Sequence, residues 1–515
     1  MTYAVYGNTA YKYGNVNRLY GIGSETVVRW GVDIDWDGDG FYDGTNDGVY
    51  AVGFKCRRGR QNYLNIDSDG RADGFEPIRV GTATLTLDNS TRRYDPYNTS
   101  SPLYPYVLPG RYIRIRALYN GVIYDVFHGK TRNIMSIDND KEQLVKIEIE
   151  DGLRLLQSSD TSVAIQQSID IDDAIQRILT DISWPTIWGT YLEDASDVLS
   201  YWWAEDKAAT EIRKLSDAEL GNFFVAANGN ATFYSRHHTQ AAVLTLSSSD
   251  FLKSIDVPQP LEVIRNTVKI YAHPRVLRST SALWTLQDKP LIAANGGTLT
   301  VWATYAYGNN PVPAINVVSP AATTDYTMNT ADDGLGTNLT SSFSVSFTDF
   351  GKTGKIIITN NHATLAGYVT LLKVRGDAID APDPSLLIQE DTTSQTKYGK
   401  ALLSLDNDWF QNTSLANDFT RWLISYMPNP QKFLTVRLEG RPDIQFTPDL
   451  FSLINVTVSR LSISGVNYRV AGIEHEWNIE NGQATETTWI LEPNPDLSTY
   501  WQFTTTIGVT SKFGI

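Results

Sequence analysis

Two acidic loops contain the residues whose types and spacing could bind a metal ion. In the first loop, residues 35–46, oxygen-bearing side chains stand at alternate positions and Gly40 stands sixth. This is the pattern of a calcium loop, which surrounds a hard cation with carboxylates and one backbone carbonyl. Because Asn46 replaces the bidentate Glu of position twelve, we expect a weak site unless Asp47 or Asp33 supplies the missing oxygens. The candidate ligands are Asp35, Asp37, Asp39, Phe41 through its carbonyl, Asp43 and Asn46.

The second loop, residues 65–76, follows the pattern more closely, with Gly70 sixth and Glu76 twelfth. We expect at least one of the two loops to bind Ca²⁺. Since neither loop has a convincing helix on both sides, the ion would be structural and not part of a sensor. The alternative is two solvated turns rich in Asp and Gly, which commonly connect strands. The candidate ligands are Asn65, Asp67, Asp69, Arg71 through its carbonyl, Asp73 and Glu76.

Residues that could form a catalytic centre are few. The chain has six histidines but no HExxH, GxSxG or GxxxxGK[ST] motif. His237 and His238 are adjacent at a strand end and point to opposite faces, so we interpret them as a surface pair. We interpret His475 as a packing or ion-paired strand residue, residues 201–203 (YWW) as packing, and residues 172–173 (DD) as the start of a helix. The sequence therefore predicts no enzyme, no catalytic residue and no cofactor-binding residue.

The composition is that of a folded, acidic chain. It has 515 residues, of which 42% are hydrophobic, and a formal net charge of −15. This length can supply about three or four domains. The acidic charge argues against a surface that grips nucleic acid, because phosphate binding needs clustered Lys and Arg. We expect neither Sec export nor a membrane span, and we interpret the single cysteine, Cys56, as a buried strand residue.

Four strands are predicted twice, in the same order, in two distant parts of the chain. Each has the alternation of apolar and polar residues that is typical of half-buried strands. Matching order and similar gaps predict two small antiparallel barrels related by duplication. Two such modules in one chain can occupy equivalent places in a ring. The first set is 82–89, 112–119, 124–134 and 144–151, and the second is 433–440, 453–459, 468–477 and 485–492.

The predicted fold class is mainly β with some α, in several domains: two tube-like antiparallel β-barrels, a mixed α/β segment between them and an inserted β-sandwich. Helices are predicted at 171–182, 204–220 and 415–426, with Gly221 in the C′ position after the second. A hairpin is predicted to join 222–227 to 231–236. The predicted divisions are an N-terminal β segment (1–60), a first barrel with an acidic loop insertion (61–157), a mixed α/β hub domain (158–275), the sandwich (276–385), a helical connector (386–430), a second barrel (431–495) and a C-terminal tail (496–515).

Several motifs resemble those of minor tail proteins of long-tailed bacteriophages. The resemblance extends over roughly residues 30–495 and is to the baseplate hub, or tail-associated tip protein, which caps the tail tube. The second acidic loop has the character of an insertion relative to that family pattern. The motifs are 57–60 (RRGR), 81–89 (GTATLTLDN), 93–98 (RYDPYN), 109–116 (PGRYIRIR), 261–270 (LEVIRNTVKI), 398–399 (YG) and 468–475 (YRVAGIEH).

The resemblance implies a structural virion protein of the phage tail tip, made in the host cytoplasm. A homotrimer with two modules per subunit would adapt a sixfold tube to a threefold tip and form part of the DNA-ejection channel. The implied partners are the distal tail protein ring, the tape-measure protein and a central fibre or receptor-binding protein, with no stable nucleic-acid binding. Two alternatives are a hexameric distal-tail ring or adsorption protein, and a carbohydrate-binding or cell-wall-degrading tail protein. The sandwich is expected to contact a neighbouring tail protein or a host glycan.

Overall fold

The computed structural model describes residues 28–494, apart from 46, 63, 67–71, 76, 139–141, 239, 251–252 and 480–484. The described chain consists mainly of strands, with six α-helices, and its buried apolar residues form four separate cores. The predicted fold class, mainly β with some α in several domains, is confirmed. Within the described ranges, no helix is long and apolar enough to cross a membrane.

The first β-module is built by the first eight strands. Six of them pair antiparallel in the order β1-β6-β7-β8-β5-β2, and β3 and β4 form a separate hairpin. Alternate side chains, such as Leu85, Ile115 and Ile147, point into one core because successive strand residues face opposite sides. The strands are β1 (Arg29–Ile34), β2 (Ala51–Gly59), β3 (Leu64–Ile66), β4 (Ala72–Phe75), β5 (Arg79–Asp88), β6 (Tyr112–Tyr119), β7 (Val122–Asp138) and β8 (Gln143–Glu150).

A mixed α/β region follows. Its elements are α1 (Leu153–Ser158), β9 (Val163–Asp170), α2 (Ile171–Asp181), β10 (Thr190–Leu192), β11 (Val198–Ala204), α3 (Ala208–Glu219), β12 (Asn222–Val225), β13 (Ala231–Tyr234), β14 (Leu244–Ser247), β15 (Ser254–Asp256) and β16 (Thr267–Ala272). Helix α2 and the hairpin β12–β13 agree with the prediction. The helix predicted from residue 204 begins only at Ala208, because the preceding residues pair with β9 as strand β11.

The end of α3 has Gly221 directly after the C-cap residue Leu220, in the predicted C′ position. The left-handed backbone conformation belongs to Leu220, with φ of 52°, and not to Gly221. Gly221 is pressed against β13: a Cβ atom there would stand 2.7 Å from the carbonyl oxygen of Tyr234 and 2.7 Å from the ring of Phe233. Glycine is therefore needed at this position for a close approach of two elements.

A β-sandwich interrupts the mixed region. Its strands are β17 (Val276–Leu277), β18 (Ser281–Thr285), β19 (Leu291–Ile292), β20 (Gly297–Thr304), β21 (Ala306–Tyr307), β22 (Asn310–Pro311), β23 (Ala314–Val318), β24 (Tyr326–Asn329), β25 (Phe343–Asp349), β26 (Thr353–Asn360) and β27 (Gly367–Asp380). One sheet is organised around β27 and the other has the order β20-β26-β25, and both contribute to one core.

The chain returns to the mixed region after the sandwich through β28 (Ser385–Glu390), α4 (Thr392–Tyr398), β29 (Leu402–Asp406) and α5 (Thr413–Tyr426). Strands β28 and β29 pair with the two sides of β16. Ala272 and Ser385, where the chain leaves and re-enters, are register partners. The sandwich is therefore an insertion between neighbouring strands, and α5 buries Phe419 in the core of the mixed region.

The second β-module repeats the first. Its last elements are β30 (Leu434–Glu439), α6 (Pro442–Gln445), β31 (Leu453–Val458), β32 (Ile463–Asn478) and β33 (Thr485–Pro493). Their antiparallel order, β30-β33-β32-β31, is the order β5-β8-β7-β6 of the first module. Strand β15 extends the β30 side and β14 extends the β31 side, as β2 and β1 do in the first module, although β14 pairs in parallel.

One seam joins the two modules. Strand β2 pairs with β5 on one side and with the distal half of β32 on the other, which makes a single 12-stranded sheet. Trp477 of β32 packs against Trp30 and Phe54, so a strand of the second module completes the core of the first. The strand pairing is an open path among the described residues, and neither module is closed by hydrogen bonds between its own edge strands.

Candidate functional site

The first acidic loop brings together three of its predicted ligands. Carboxylate oxygens of Asp35, Asp37 and Asp39 lie within 4.8 Å of one another. Two oxygens bound to one Ca²⁺ at about 2.4 Å can stand at most about 4.8 Å apart, so this spacing and these hard oxygen donors fit the ion. Asp43 is directed elsewhere, because its carboxylate accepts the backbone N–H of Trp36 at 2.8 Å. Asn46 lies outside the described residues.

Backbone N–H groups of the loop also donate hydrogen bonds to its own carboxylates. Asp35 is fully buried and accepts the backbone N–H groups of Gly38 at 2.8 Å and Gly40 at 3.1 Å. Burial raises the pKa of Asp35, and the negative charges of Asp39 and Asp43 raise it further. A bound cation would oppose that shift. Asp39 accepts the N–H of Phe41 at 2.8 Å, so the turn holds its shape through backbone donors.

The two carboxylates that might have replaced Asn46 are engaged elsewhere. Asp47 is fully buried and accepts hydrogen bonds from Thr45 Oγ1 at 2.6 Å, Tyr94 Oη at 2.7 Å and Trp36 Nε1 at 3.0 Å. Asp33 lies between two arginines of β6, with guanidinium nitrogens at 2.7 and 2.9 Å. Sequence reasoning missed the role of Asp47, which anchors the loop to the core of the first module.

Most of the second loop lies outside the described residues. Its ends form the antiparallel hairpin of β3 and β4, in which Asn65 and Gly74 are register partners. The prediction that this loop binds Ca²⁺ stays a prediction. The four candidate ligands outside the described residues are Asp67, Asp69, Arg71 and Glu76, and only the backbone is described for Asn65 and Asp73.

The other residues singled out in the sequence pack or pair locally. His238 stacks on Tyr234 with ring centroids 3.7 Å apart, and its Nδ1 lies 2.6 Å from Glu193 Oε1. Trp202 is fully buried in the mixed core. Asp172 accepts the backbone N–H of Ala195 at 2.9 Å.

The seam between the modules contains a buried pair of titratable side chains. Cys56 of β2 and His475 of β32 are register partners and both are buried. Burial raises the pKa of the Cys56 thiol to about 12, and it lowers the pKa of the His475 imidazole to about 3, with the charge of Arg58 adding to the second effect. Both side chains are therefore neutral at pH 7. His475 Nδ1 lies 2.9 Å from Thr487 Oγ1, which satisfies one ring nitrogen.

Charged residues flank this seam in two sets. On the exposed face, Lys55 Nζ contacts Glu474 at 2.9 Å and Glu476 at 2.7 Å across the two modules. At the buried end, Glu492 accepts hydrogen bonds from Arg60 and, at 2.8 Å, from Arg469. Removing one partner of such a buried pair typically costs about 3–5 kcal/mol, whereas an exposed pair contributes about 0–1 kcal/mol. The buried set therefore holds the two modules in register.

A cleft of about 1820 Å³ lies where the two modules meet the mixed region. Its wall includes Leu220, Trp422 and Tyr426 from the mixed region, and Phe433 and Arg469 from the second module. Pockets for small molecules usually enclose about 300–1,000 Å³. The cleft is therefore larger than a usual small-molecule pocket, and its wall combines apolar side chains with charged ones such as Arg236 and Glu492.

Three solved structures that are similar to this chain are described as tail proteins. The tail protein from Neisseria meningitidis MC58 is 8% identical, with 90% of this chain and 97% of that chain covered and a TM-score of 0.49. The 43 kDa tail protein of prophage MuSo2 from Shewanella oneidensis is 8% identical, with 90% and 98% covered and a TM-score of 0.45. Prophage tail protein gp18 from Listeria monocytogenes EGD-e is 9% identical, with 90% and 95% covered and a TM-score of 0.41. No family model matches the chain, and comparison with curated proteins gives no match.

Proposed function

We propose that this protein is a structural component of a bacteriophage tail, located at the distal end of the tail tube as its hub. Three copies would form a ring with six module positions, adapt a sixfold tube to a threefold tip and surround part of the channel through which DNA leaves. The observation that carries this proposal is the pair of six-stranded modules with one strand order. A ring built from such chains has twice as many module positions as subunits.

The charge of the chain is consistent with this role. A net charge of −15 disfavours stable binding of DNA, which a conduit must release. The partners in this proposal are the distal tail protein ring above, the tape-measure protein within the channel and a central fibre or receptor-binding protein below. The role is mechanical and uses no catalytic residue.

The assembly mass of the purified full chain tests the hub. Native mass spectrometry should give three times the mass of the chain, and electron-microscopic averages down the trimer axis should contain six similar lobes. A hexamer would favour the distal-tail ring or adsorption protein instead. A monomer at every concentration would contradict the homotrimer.

We also propose that the loop of Asp35, Asp37 and Asp39 binds a structural Ca²⁺. Ca²⁺ at a hundred times its Kd would stabilise the folded chain by about 2.7 kcal/mol, which a thermal melt with and without a chelator detects. The double variant Asp37→Asn/Asp39→Asn should lose this response. The matched control changes Asp332 and Asp333, exposed acids of a sandwich turn, to Asn and should keep it. An equal response of all three proteins would refute the site.

A second candidate function rests on one surface of the sandwich. Trp302 and Phe350 are 57% and 56% exposed and lie 5.7 Å apart with their rings tilted by 31°. An exposed aromatic pair of this kind can stack on a sugar ring, which favours carbohydrate binding by the sandwich. Glycan-array binding that Trp302→Ala abolishes, and that Leu335→Ala on another exposed loop leaves unchanged, would support this function. Absence of binding by the unchanged protein would refute it.

A further inference from the structure

The two modules can be aligned strand by strand through their register partners. In each module a row of four side-by-side residues crosses the sheet from its edge strand to its long strand. The long strands also share an irregularity in pairing, between Thr131 and Asn133 in β7 and between Val470 and Gly472 in β32. The first row is Phe54, Leu85, Ile147 and Ile134, and the second row is Ile255, Val436, Trp489 and Ile473.

In this alignment, the seam within the chain is one of two equivalent contacts that the two modules can make. The edge strand of the first module, β2, pairs with the distal half of the long strand of the second, β32. The reciprocal contact would join the edge strand of the second module, β15, to the distal half of the long strand of the first, β7. The described chain does not make that contact. A head-to-tail contact between like modules that is used once can be used again between copies, and it stops only when a ring closes.

Both strands that would make the reciprocal contact have a free edge. In β8 the carbonyl of Gln143 accepts from the N–H of Asn89, so Gln143, and Val145 two residues on, direct their backbone groups toward β5. Ser136, which is the partner of Val145 in β7, therefore points its backbone N–H and C=O groups away from β8, as does Ile134. In β15 and its extension, Pro258 accepts from the N–H of Phe433, so the groups of Ile255 and Val257 point away from β30. None of the four residues whose groups point away has a backbone partner among the residues that the structure describes. Unpaired strand edges of this kind are templates for pairing with another chain.

We propose that the distal half of β7 in one copy pairs antiparallel with β15 and its extension in the next copy of this chain. The register of the seam, in which Arg58 faces Ile473, transfers directly. It sets Ser136 opposite Val257, Ile137 opposite Asp256 and Met135 opposite Pro258. The proline lies where it does no harm, because its missing N–H would face β30 and not the free edge. This pairing rests on the proposed ring of copies and identifies the surface that builds it.

Side chains in the distal half of β7 are more exposed than their counterparts in β32, as expected for a strand that lacks a neighbouring strand on one side. Ile473 and His475 are both 3% exposed in the seam, where β2 covers them. Their counterparts in β7 are the half-buried Ile134 and the exposed Ser136, and the adjacent Met135 is 42% exposed. The distal half of β7 thus extends beyond its own module with no strand on the side away from β8 among the described residues, whereas β2 covers the equivalent half of β32.

The outer faces of β7 and β32 differ in charge, and this difference determines which edge strand pairs with each of them. Within the chain, Lys55 of β2 contacts Glu474 and Glu476 of β32. In β7 the corresponding positions are the apolar Met135 and Ile137, which offer no partner for that lysine. Pairing β2 with β7 would leave Lys55 without its two carboxylates, so the arrangement favours the seam within the chain and leaves β7 for the next copy.

A disulfide tests the register directly in the full chain. The double variant Ile137→Cys/Asp256→Cys puts two thiols on a non-hydrogen-bonded pair, where Cα atoms about 4.5 Å apart permit a disulfide. Oxidation should convert it to covalent dimers and closed oligomers on non-reducing gels. The control Ile137→Cys/Asp333→Cys places the second thiol on a sandwich turn and should give no closed oligomer. The existing Cys56 is buried and is common to both proteins.

A proline tests the free edge without disturbing the chain's own ladder. Ser136→Pro removes an N–H that points away from β8 and should abolish the oligomer while circular dichroism stays unchanged. Ser136→Ala should remain assembled. A trimer with no cross-link that survives Ser136→Pro would overturn the edge pairing, assign the edge to a different partner and leave the hub proposal standing. A hexamer with the cross-link would support the pairing and refute the trimeric hub, and a monomer without the cross-link would overturn both.

Discussion

The neutral, buried His475 makes the stability of the seam depend on pH. Its folded pKa, about 3, lies below the ordinary value of 6.5 because burial and the nearby Arg58 disfavour the imidazolium. The unfolded chain therefore binds a proton below pH 6.5 that the folded chain does not. The contribution of His475 to folding is fully present above pH 6.5 and is lost as the pH falls toward the folded value.

The size of the effect follows from the same shift. One pH unit below the unfolded pKa costs about 1.36 kcal/mol, so at pH 5 the free energy of unfolding should have fallen by about 2 kcal/mol through His475 alone. The variant His475→Asn keeps a side chain that can hydrogen-bond to Thr487 but does not titrate in this range. Subtracting its pH dependence from that of the unchanged protein removes the contribution of the carboxylates common to both.

The assay is urea unfolding at pH 7 and pH 5, followed by tryptophan fluorescence, to which Trp477 and Trp30 beside the seam contribute. The unchanged protein should lose about 2 kcal/mol more between the two pH values than His475→Asn does. Val436→Ala, a core truncation without a titratable group, should be destabilised equally at both. Equal losses in the unchanged protein and His475→Asn would show that the imidazole titrates normally in the folded chain and would refute the reasoning.

Three further predictions concern particular contacts. Burial raises the pKa of the Cys56 thiol to about 12, so iodoacetamide should leave the native chain unmodified and should add one group after the chain is unfolded in urea. Mass spectrometry measures the modification, and rapid labelling of the native chain would contradict the prediction. Glu492→Gln removes a buried carboxylate from two half-buried arginines and should cost about 3–5 kcal/mol in urea unfolding, whereas Glu486→Gln breaks an exposed pair and should cost less than about 1 kcal/mol; equal costs would argue that Glu492 is solvated. Gly48→Ala should lower the melting temperature because its Cβ would lie 2.7 and 2.9 Å from backbone atoms of β1. Gly31→Ala should not lower it, because the nearest atom to its Cβ would be 4.0 Å away. A tolerated Gly48→Ala would mean that this turn can shift.

Local patterns predicted the elements of this fold well. Alternation located β5 to β8 and β30 to β33, because a half-buried strand exposes every second residue whatever it pairs with. Helices α2 and α5 were found from apolar spacing. The predicted start of α3 lies four residues early, since Ala204 belongs to β11, a strand that forms only through pairing with β9. The C′ position of Gly221 follows from local sequence, whereas its packing against β13 is a tertiary contact that local sequence does not reveal.

The candidate sites were predictable only in part. The spacing of Asp35, Asp37 and Asp39 forecast their convergence, because a tight turn with glycines brings alternate side chains to one side. The same pattern could not reveal that Asp43 binds the backbone of Trp36, nor that Asp47 is held by three donors in the core. Those contacts depend on residues as distant as Tyr94, and local spacing contains no information about them.

Local sequence patterns are enough to locate the strands, their duplication and the acidic turn, since each depends on neighbours within a few residues. The tertiary structure alone decided how the duplicated modules are joined. Pairing of β2 with β32 brings together residues more than four hundred positions apart and buries Cys56 beside His475, and among the described residues it leaves the edges of β7 and β15 open. Which edge meets which is settled by burial, backbone hydrogen bonds and the charges of Lys55 and its partners, and these act only once the chain has folded.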